Sequence, residues 1–376
     1  YEIYQCDWSS DVCSSDLKIE RPGVGDFARD YDQTVKGQSA YFVWLNRSKE
    51  SLTLDVKHPQ AQDILAKLIG SADVFIQNLA PGAAARLGLA ADALLKKNPR
   101  LIVCDLSGYG DTGPYADKKA YDLLVQSEAG VLSVTGTPET QTKVGISIVD
   151  ISAGMYAYSG ILTALYQREK TGKGTRVEVT MFEALTEWMA HPLYYTHFSG
   201  KAPRRSGPDH ATIVPYGRFK CGDGNFVMLG IQNEREWAKF CAGVLSRPEL
   251  AKDPRYDNNT KRTAARAEMV GLIEQIFASM TAGDVVKKLD AAGIANARIN
   301  TPDEVWEHPQ LKARRRWREV DTPAGTIAAL LPPVTMADFE PRFDAVPAVG
   351  QHTDAVLAGL GFGEDEIRSL HAGGAV

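Results

Sequence analysis

Between residues 59 and 181, segments with helical spacing of apolar side chains alternate with short strand-like runs, and this alternation constrains the fold more than any other feature of the chain. Helical spacing at 59–69 leads into an apolar run at 73–76, 90–97 leads into 101–106, and 122–132 leads towards the run 144–149. A further helical stretch, 151–168, precedes the alternating run 176–181. Strands joined by crossovers of this length run parallel, because an antiparallel pair needs only a tight turn. The expected fold is α/β, with a doubly wound, Rossmann-like parallel sheet that binds ligands beyond the C-terminal ends of its strands. Asn78, Ser107 and Asp150 fall at such ends.

Asp150 stands between the run 144–149 and the helical stretch 151–168. A carboxylate at such a junction either caps the helix or meets a ligand, and the local pattern alone favours the cap. The helix that follows carries Ser152, Ala153, Gly154, Ala157, Ser159 and Gly160, small side chains that admit another backbone or a flat ligand. It is expected to stop at Thr171-Gly172-Lys173-Gly174. Gly23-Val24-Gly25-Asp26-Phe27-Ala28 fits a dinucleotide-binding pattern by letter only; Pro22 precedes it and no helical apolar pattern opens after it, so it reads as a loop.

At 376 residues, with 44% hydrophobic and 24% charged residues, the chain has room for two domains with cores of their own. The second starts after an aromatic helix expected at 186–198 and a Pro/Gly/basic linker, with strands at 216–220 and 225–230 and helices at 234–244, 260–280 and 282–292. It closes with 297–300 and a helix near 302–306; the basic cluster 312–318 reads as a solvated connection, followed by a strand at 325–330 and a helix at 353–359. The expected organisation is a large domain over 18–198, a linker at 199–212, a small α+β domain over 213–305, a linker at 306–324 and a final segment at 325–376. No run approaches the roughly 18 to 20 apolar residues of a membrane span. Setting aside Glu2, Asp7, Asp11 and Asp16 leaves 43 acidic against 42 basic groups, which gives no support for non-specific nucleic-acid binding. Cys104, Cys221 and Cys241 lack metal-ligand spacing and read as reduced thiols of a cytoplasmic protein.

An ordered set of motifs gives a sharper reading. It comprises Lys18-Ile19-Glu20-Arg21-Pro22-Gly23, Leu45-Asn46-Arg47-Ser48-Lys49, Leu54-Asp55-Val56-Lys57, Gln77-Asn78-Leu79-Ala80-Pro81-Gly82 and Arg86-Leu87-Gly88. It continues through Ser107-Gly108-Tyr109-Gly110, Tyr121-Asp122-Leu123, Asp150-Ile151-Ser152-Ala153-Gly154, Asp253-Pro254-Arg255-Tyr256 and Gly350-Gln351-His352-Thr353-Asp354. In this order the motifs resemble the family III CoA-transferases, from Lys18 to about Leu370. The residues before Lys18 depart from that pattern: Asp7 to Leu17 resembles a sequencing adapter translated in one frame, and residues 1–17 are read as foreign sequence. By the resemblance, an uninterrupted chain starts with a further strand, a glycine turn, a helix and most of a second strand. The resemblance also implies a large domain completed by the C-terminal segment, and an interlocked homodimer.

The same resemblance implies a reaction in which CoA passes between small carboxylic acids, with acyl-CoA as a substrate and no metal or permanently bound cofactor. Asp150 then supplies the nucleophile, and a helix N-terminus favours its ionised form. Arg21, Lys57, Arg86 and Lys119 are implied near the nucleotide end of CoA, Leu54, Asn78, Leu79 and Leu87 along adenine and ribose, and Tyr121 and Met181 towards the reactive end. In the related α-methylacyl-CoA racemases a histidine stands where this chain has Tyr121, whose phenol is a poor base at neutral pH. Transfer is thus favoured over racemisation, with Tyr121 also readable as a core aromatic. The glycine run of the formyl-CoA:oxalate branch does not occur near 204–217, which points to succinyl-CoA with C5 dicarboxylates. The alternatives are a 2-methylacyl-CoA racemase and an acyl-CoA-binding fragment without turnover.

Overall fold

The computed structural model describes residues 15–376. Residues 1–14, most of the segment read as foreign, lie outside the described residues. Leu17, the last residue of that segment, opens β1 (Leu17–Glu20), where it pairs with Glu50. The described chain forms two compact units. The first contains residues up to Ala129, Gly145–Ala190 and Gln310–Val376; the second contains Gly130–Val144 and His191–Pro309.

In the first unit β1 pairs in parallel with β2 (Glu50–Thr53), and β3 (Val74–Gln77), β4 (Ile102–Ser107) and β5 (Arg176–Thr180) form a parallel sheet in that order. The fold is mixed α/β with parallel sheets. Strand alternation puts Leu101 and Val103 into a core with Ile64 and Leu65 of the helix Ala61–Ser71 and Leu94 of the helix Ala91–Lys97. Ile102, Cys104 and Leu106 point the other way, against Ala153, Ala157, Ile161 and Ala164 of the helix Ile148–Thr171. Helices therefore cover both faces of β4. That last helix is long and apolar enough by length and composition to cross a membrane, which corrects the reading that no run is; one side of it packs against β4 and β5, while Met155, Leu162 and Tyr166 are exposed.

The expected strand at 144–149 does not form. The helix starts at Ile148, so Asp150 is its third residue and the N-cap position belongs to Ser147. The helical stretch 122–132 breaks after Glu128, where Gly130 takes a left-handed φ of 82°. A break at Met189 divides 186–198 between the helices Met181–Trp188 and Ala190–Ser199.

The second unit holds an antiparallel sheet of β6 (Tyr216–Lys220), β7 (Phe226–Gly230) and β8 (Ala295–Arg298). Val227, Leu229, Trp237, Phe240, Ile273, Phe277 and Leu289 fill its core. It includes residues 130–144 and 199–212 because Arg205 donates to the carbonyls of Ser133, Thr137 and Pro138, and the Gly207 N–H donates to Gly136 O. The chain divides there rather than at a linker confined to 199–212. Back in the first unit, β9 (Trp317–Val320) and β10 (Ile327–Leu330) form an antiparallel hairpin, so part of the basic cluster 312–318 is strand, not solvated connection.

Candidate active site

The direction of the helix Ile148–Thr171 fixes where Asp150 lies. Near its C-terminal end, Arg168 pairs with Asp73 at 2.8 Å and donates to Arg100 O at 3.2 Å, both just before strands begin. Midway along, a Cβ on Gly160 would sit 2.9 Å from Val177 Cγ1. The helix thus runs antiparallel to the sheet. From Gly160 back to Asp150 it advances about 15 Å, at roughly 1.5 Å per residue, whereas from Val177 to Thr180 β5 advances only about 10 Å. Asp150 therefore sits beyond the C-terminal edge of the strands, half-buried. The helix N-terminus also supplies a positive partial charge there.

Three other segments meet at this edge. Ser107 ends β4, and its Oγ accepts from the Gly110 N–H at 2.9 Å, closing a turn. Gly108 is required within that turn, since a Cβ there would lie 2.3 Å from Ala120 Cβ. This close approach draws Lys119, Ala120 and Tyr121 onto the turn. Gly108 O accepts from the Phe182 N–H at 3.0 Å, which brings in Met181 at the start of the helix Met181–Trp188. Tyr121 is 65% exposed, which removes its reading as a core aromatic.

The segment before Tyr121 is clamped from outside. Glu128 accepts from Lys118 Nζ at 2.9 Å and from Tyr115 OH at 3.0 Å, and these bonds hold its carboxyl below the usual range. Lys118 also lies over the Tyr115 ring, 3.8 Å from its centroid, and Tyr115 meets Tyr109 edge-on. Burial pushes the Tyr109 phenol up, so it stays protonated at neutral pH.

The residues implied for the nucleotide end are distributed over several turns. Arg21 follows β1, is exposed and lies over the Phe27 ring at 5.1 Å. Leu54 follows β2 beside it, its N–H donating to Glu20 O at 2.8 Å. Leu54 is only 2% exposed and belongs to the core, with Leu87 packed against the same cluster; it supports the surface and does not line it. Lys57, Arg86 and Lys119 are exposed on separate segments, Arg86 closing the short helix Ala83–Arg86. Asn78 directly follows β3, and its Oδ1 is buried with no hydrogen-bond partner among the described residues, an acceptor suited to a ligand donor. Leu79 is held by its N–H, which donates to Gln77 Oε1 at 2.8 Å. Gln77 Nε2 in turn donates to Asp105, whose other oxygen accepts from Arg176 at 2.6 Å. This chain of bonds across three strands was not foreseen from sequence; alternation puts Gln77 and Asp105 side by side only once the register is known.

Asp122 was also missed as more than a motif letter. Its Oδ1 accepts from the Val149 N–H at 2.8 Å, immediately before Asp150. The only local signal was an acid at a helix start, which points to its own helix rather than to one 27 residues away.

Comparison with known proteins shows what the whole chain is similar to. The model of CoA-transferase family III matches residues 17–353. An acetyl-CoA:oxalate CoA-transferase of Acetobacter aceti is 36% identical, covering 81% of this chain and 78% of its own. A human succinyl-CoA:glutarate CoA-transferase is 30% identical, covering 92% and 80% respectively. A crystal structure of a CAIB/BAIF family protein from Brucella suis superposes with a TM-score of 0.82 at 31% identity, covering 93% of both chains.

Proposed function

Because the chain belongs to the family III CoA-transferases, enzymes that move CoA between acids, we propose that it does so through a covalent intermediate on Asp150. The observation that carries the reading is the position of Asp150: a carboxylate in the first turn of a helix, beyond the C-terminal ends of the strands it packs on, the edge at which β4 ends in the Ser107–Gly110 turn. The Asp150 carboxylate attacks the thioester carbonyl, giving a mixed anhydride and CoA thiolate. The thiolate then takes the aspartyl carbonyl, releasing the donor acid. The acceptor carboxylate displaces CoA from the aspartyl thioester, and the returning thiolate collects the acceptor's acyl group, restoring Asp150. Each step exchanges one acyl bond for another, so no oxidant or reductant enters.

In this reading Arg21, Lys57, Arg86 and Lys119 meet the phosphates of CoA, Asn78, Leu79 and Leu87 border adenine and ribose above Leu54, and Tyr121 and Met181 flank the thioester. The buried Asn78 acceptor supports this placement. The acids are proposed to be dicarboxylates, succinyl-CoA with a C5 acceptor; glutarate in a relative's name supports the longer acid and oxalate in another's the shorter. We propose a homodimer, because the helix Ala190–Ser199 leaves Leu193, Tyr194, Tyr195 and Phe198 exposed together, an apolar cluster that a second copy would cover. A reducing, cytoplasmic setting fits Cys104, Cys221 and Cys241, which are buried and form no disulfide among the described residues.

Incubation with succinyl-CoA and a panel including glutarate, itaconate, citramalate and oxalate, read by mass for new thioesters, tests the reaction and its acids. Hydroxylamine trapping should modify Asp150 only when acyl-CoA is present. Exchange without any adduct at Asp150 contradicts the covalent route, and deuterium uptake at Cα without acid exchange selects a racemase instead.

A further inference from the structure

Asp122 opens the helix Asp122–Glu128, yet its carboxylate serves a different helix. Oδ1 accepts from the Val149 N–H at 2.8 Å, and Oδ2 accepts from Gln126 Nε2 at 2.7 Å. Val149 and Gln126 are both fully buried, at 0% exposure. The first N–H groups of a helix have no acceptor within it, and Ser147 at the N-cap supplies no side-chain bond here. Asp122 provides the acceptor from 27 residues away.

The N–H it accepts belongs to the residue directly before Asp150. On the far side, the Ile151 N–H donates to Ser147 O at 3.0 Å and Ser152 Oγ to Val149 O at 2.8 Å. The segment that carries Asp122 abuts the Ser107–Gly110 turn through the Gly108–Ala120 approach. One short link thus runs from the turn, through Ala120 and Asp122, to the backbone that carries Asp150. Resting on the reading of Asp150 as nucleophile, we propose that Asp122 is its positioning residue: by accepting the Val149 N–H it sets the distance between Asp150 and the turn without touching substrate. A displaced nucleophile lowers the rate of attack while the remainder of the substrate is still held, so the effect belongs in kcat.

The test uses the full chain, with exchange kinetics and calorimetric titration of CoA. In Asp122→Ala, kcat is expected to fall about 30- to 100-fold while KM for acyl-CoA and Kd for CoA stay within about twofold. Asp122→Asn keeps an oxygen facing the Val149 N–H and should recover kcat to within about fivefold of wild type. Gln126→Met removes the second anchor and changes no charge; a loss of about three- to tenfold in kcat is expected. Wild-type kcat in Asp122→Ala, a change confined to KM, or an Asn variant as slow as the Ala variant overturns the proposal. If Asp122→Ala does not fold, undiminished kcat in Gln126→Met overturns it. The two readings fail separately. Exchange surviving in Asp150→Asn removes the nucleophile, whereas an inactive Asp150→Asn beside a fully active Asp122→Ala removes only the positioning role.

Discussion

The two ends of the helix Ile148–Thr171 are finished by different means. Its C-terminal end is closed by its own sequence: Gly172, at φ 72°, turns left-handed and its N–H donates to Arg168 O at 2.8 Å. Its N-terminal end is closed from a distance by Asp122. An end closed locally forms wherever the helix forms, and serves stability. An end closed by a remote side chain forms only when the surrounding segments are in place, so its geometry depends on the same packing that builds the candidate active site.

Substitutions at the two ends should therefore separate rate from stability. The largest effect is expected at the start. Asp150→Asn retains the size of the side chain but not the anionic nucleophile, and exchange should fall by at least about a thousandfold with a melting curve close to wild type. Near-wild-type exchange, with deamidation back to Asp excluded by mass, would return Asp150 to a structural role. At the other end, Gly174→Ala places a Cβ 1.8 Å from Leu101 O, a backbone atom that cannot rotate away. Urea denaturation should show a loss of about 3 kcal/mol, in the range of overpacked positions. Specific activity per folded molecule should be retained.

Gly172→Ala is milder, because among the described residues nothing beyond the adjoining chain lies within 4 Å of the added Cβ and only the left-handed backbone is penalised. A loss of about 1 kcal/mol with unchanged kcat is expected. A fall in kcat at this position would show that the two ends are not independent. The smallest effect concerns the clamp beside the start. Glu128 has its pKa lowered by Lys118 and Tyr115, so its contribution is complete above the unfolded carboxylate value and is lost as pH falls through the folded value. Hydrogen exchange in residues 111–119 should accelerate across that acidic window and should lose this pH dependence in Glu128→Gln.

This contrast also explains what could be read from sequence. Gly172 as helix stop and the helices Pro302–Trp306 and Thr353–Gly359 were legible because their signals are local: a glycine, a proline at the first position, a polar residue before an apolar run. The run 144–149 was apolar enough to be a strand but has no neighbour to pair with, so it became irregular chain and the first turn of a helix. Asp150 was legible as a motif letter but not as the third helical residue, since its cap comes from Asp122. Leu54 was read as ligand-facing and is core, because which side of a turn faces inward is decided by Leu52 and Leu87 around it rather than by its own motif. The bridge from Gln77 through Asp105 to Arg176 depends on strand order and register, neither of which any single segment encodes.

Glu20 shows the same dependence on distant chain in its most buried form. Burial disfavours its charge, but the Arg29 fork at 2.7 and 2.8 Å, Ser51 Oγ at 2.6 Å and the Asp26 N–H at 2.9 Å outweigh that and keep its carboxyl below the usual range. On the open side of β2, the Ser51 N–H donates to His352 Nδ1 and the Thr53 N–H to Thr353 Oγ1, while the His352 N–H returns a bond to Ser51 O. Side chains of the Gly350–Asp354 motif thus stand where another strand's carbonyls would be, and an edge so covered is closed to other chains. On the ribosome this cover arrives late. Thr53 and Thr353 are separated by 300 residues, which at roughly 5–20 residues per second amounts to about 15–60 s of synthesis. During that interval β2 is an uncovered template in a crowded polysome, and an agent that binds exposed strands, such as a chaperone, has its opportunity there rather than at the catalytic edge.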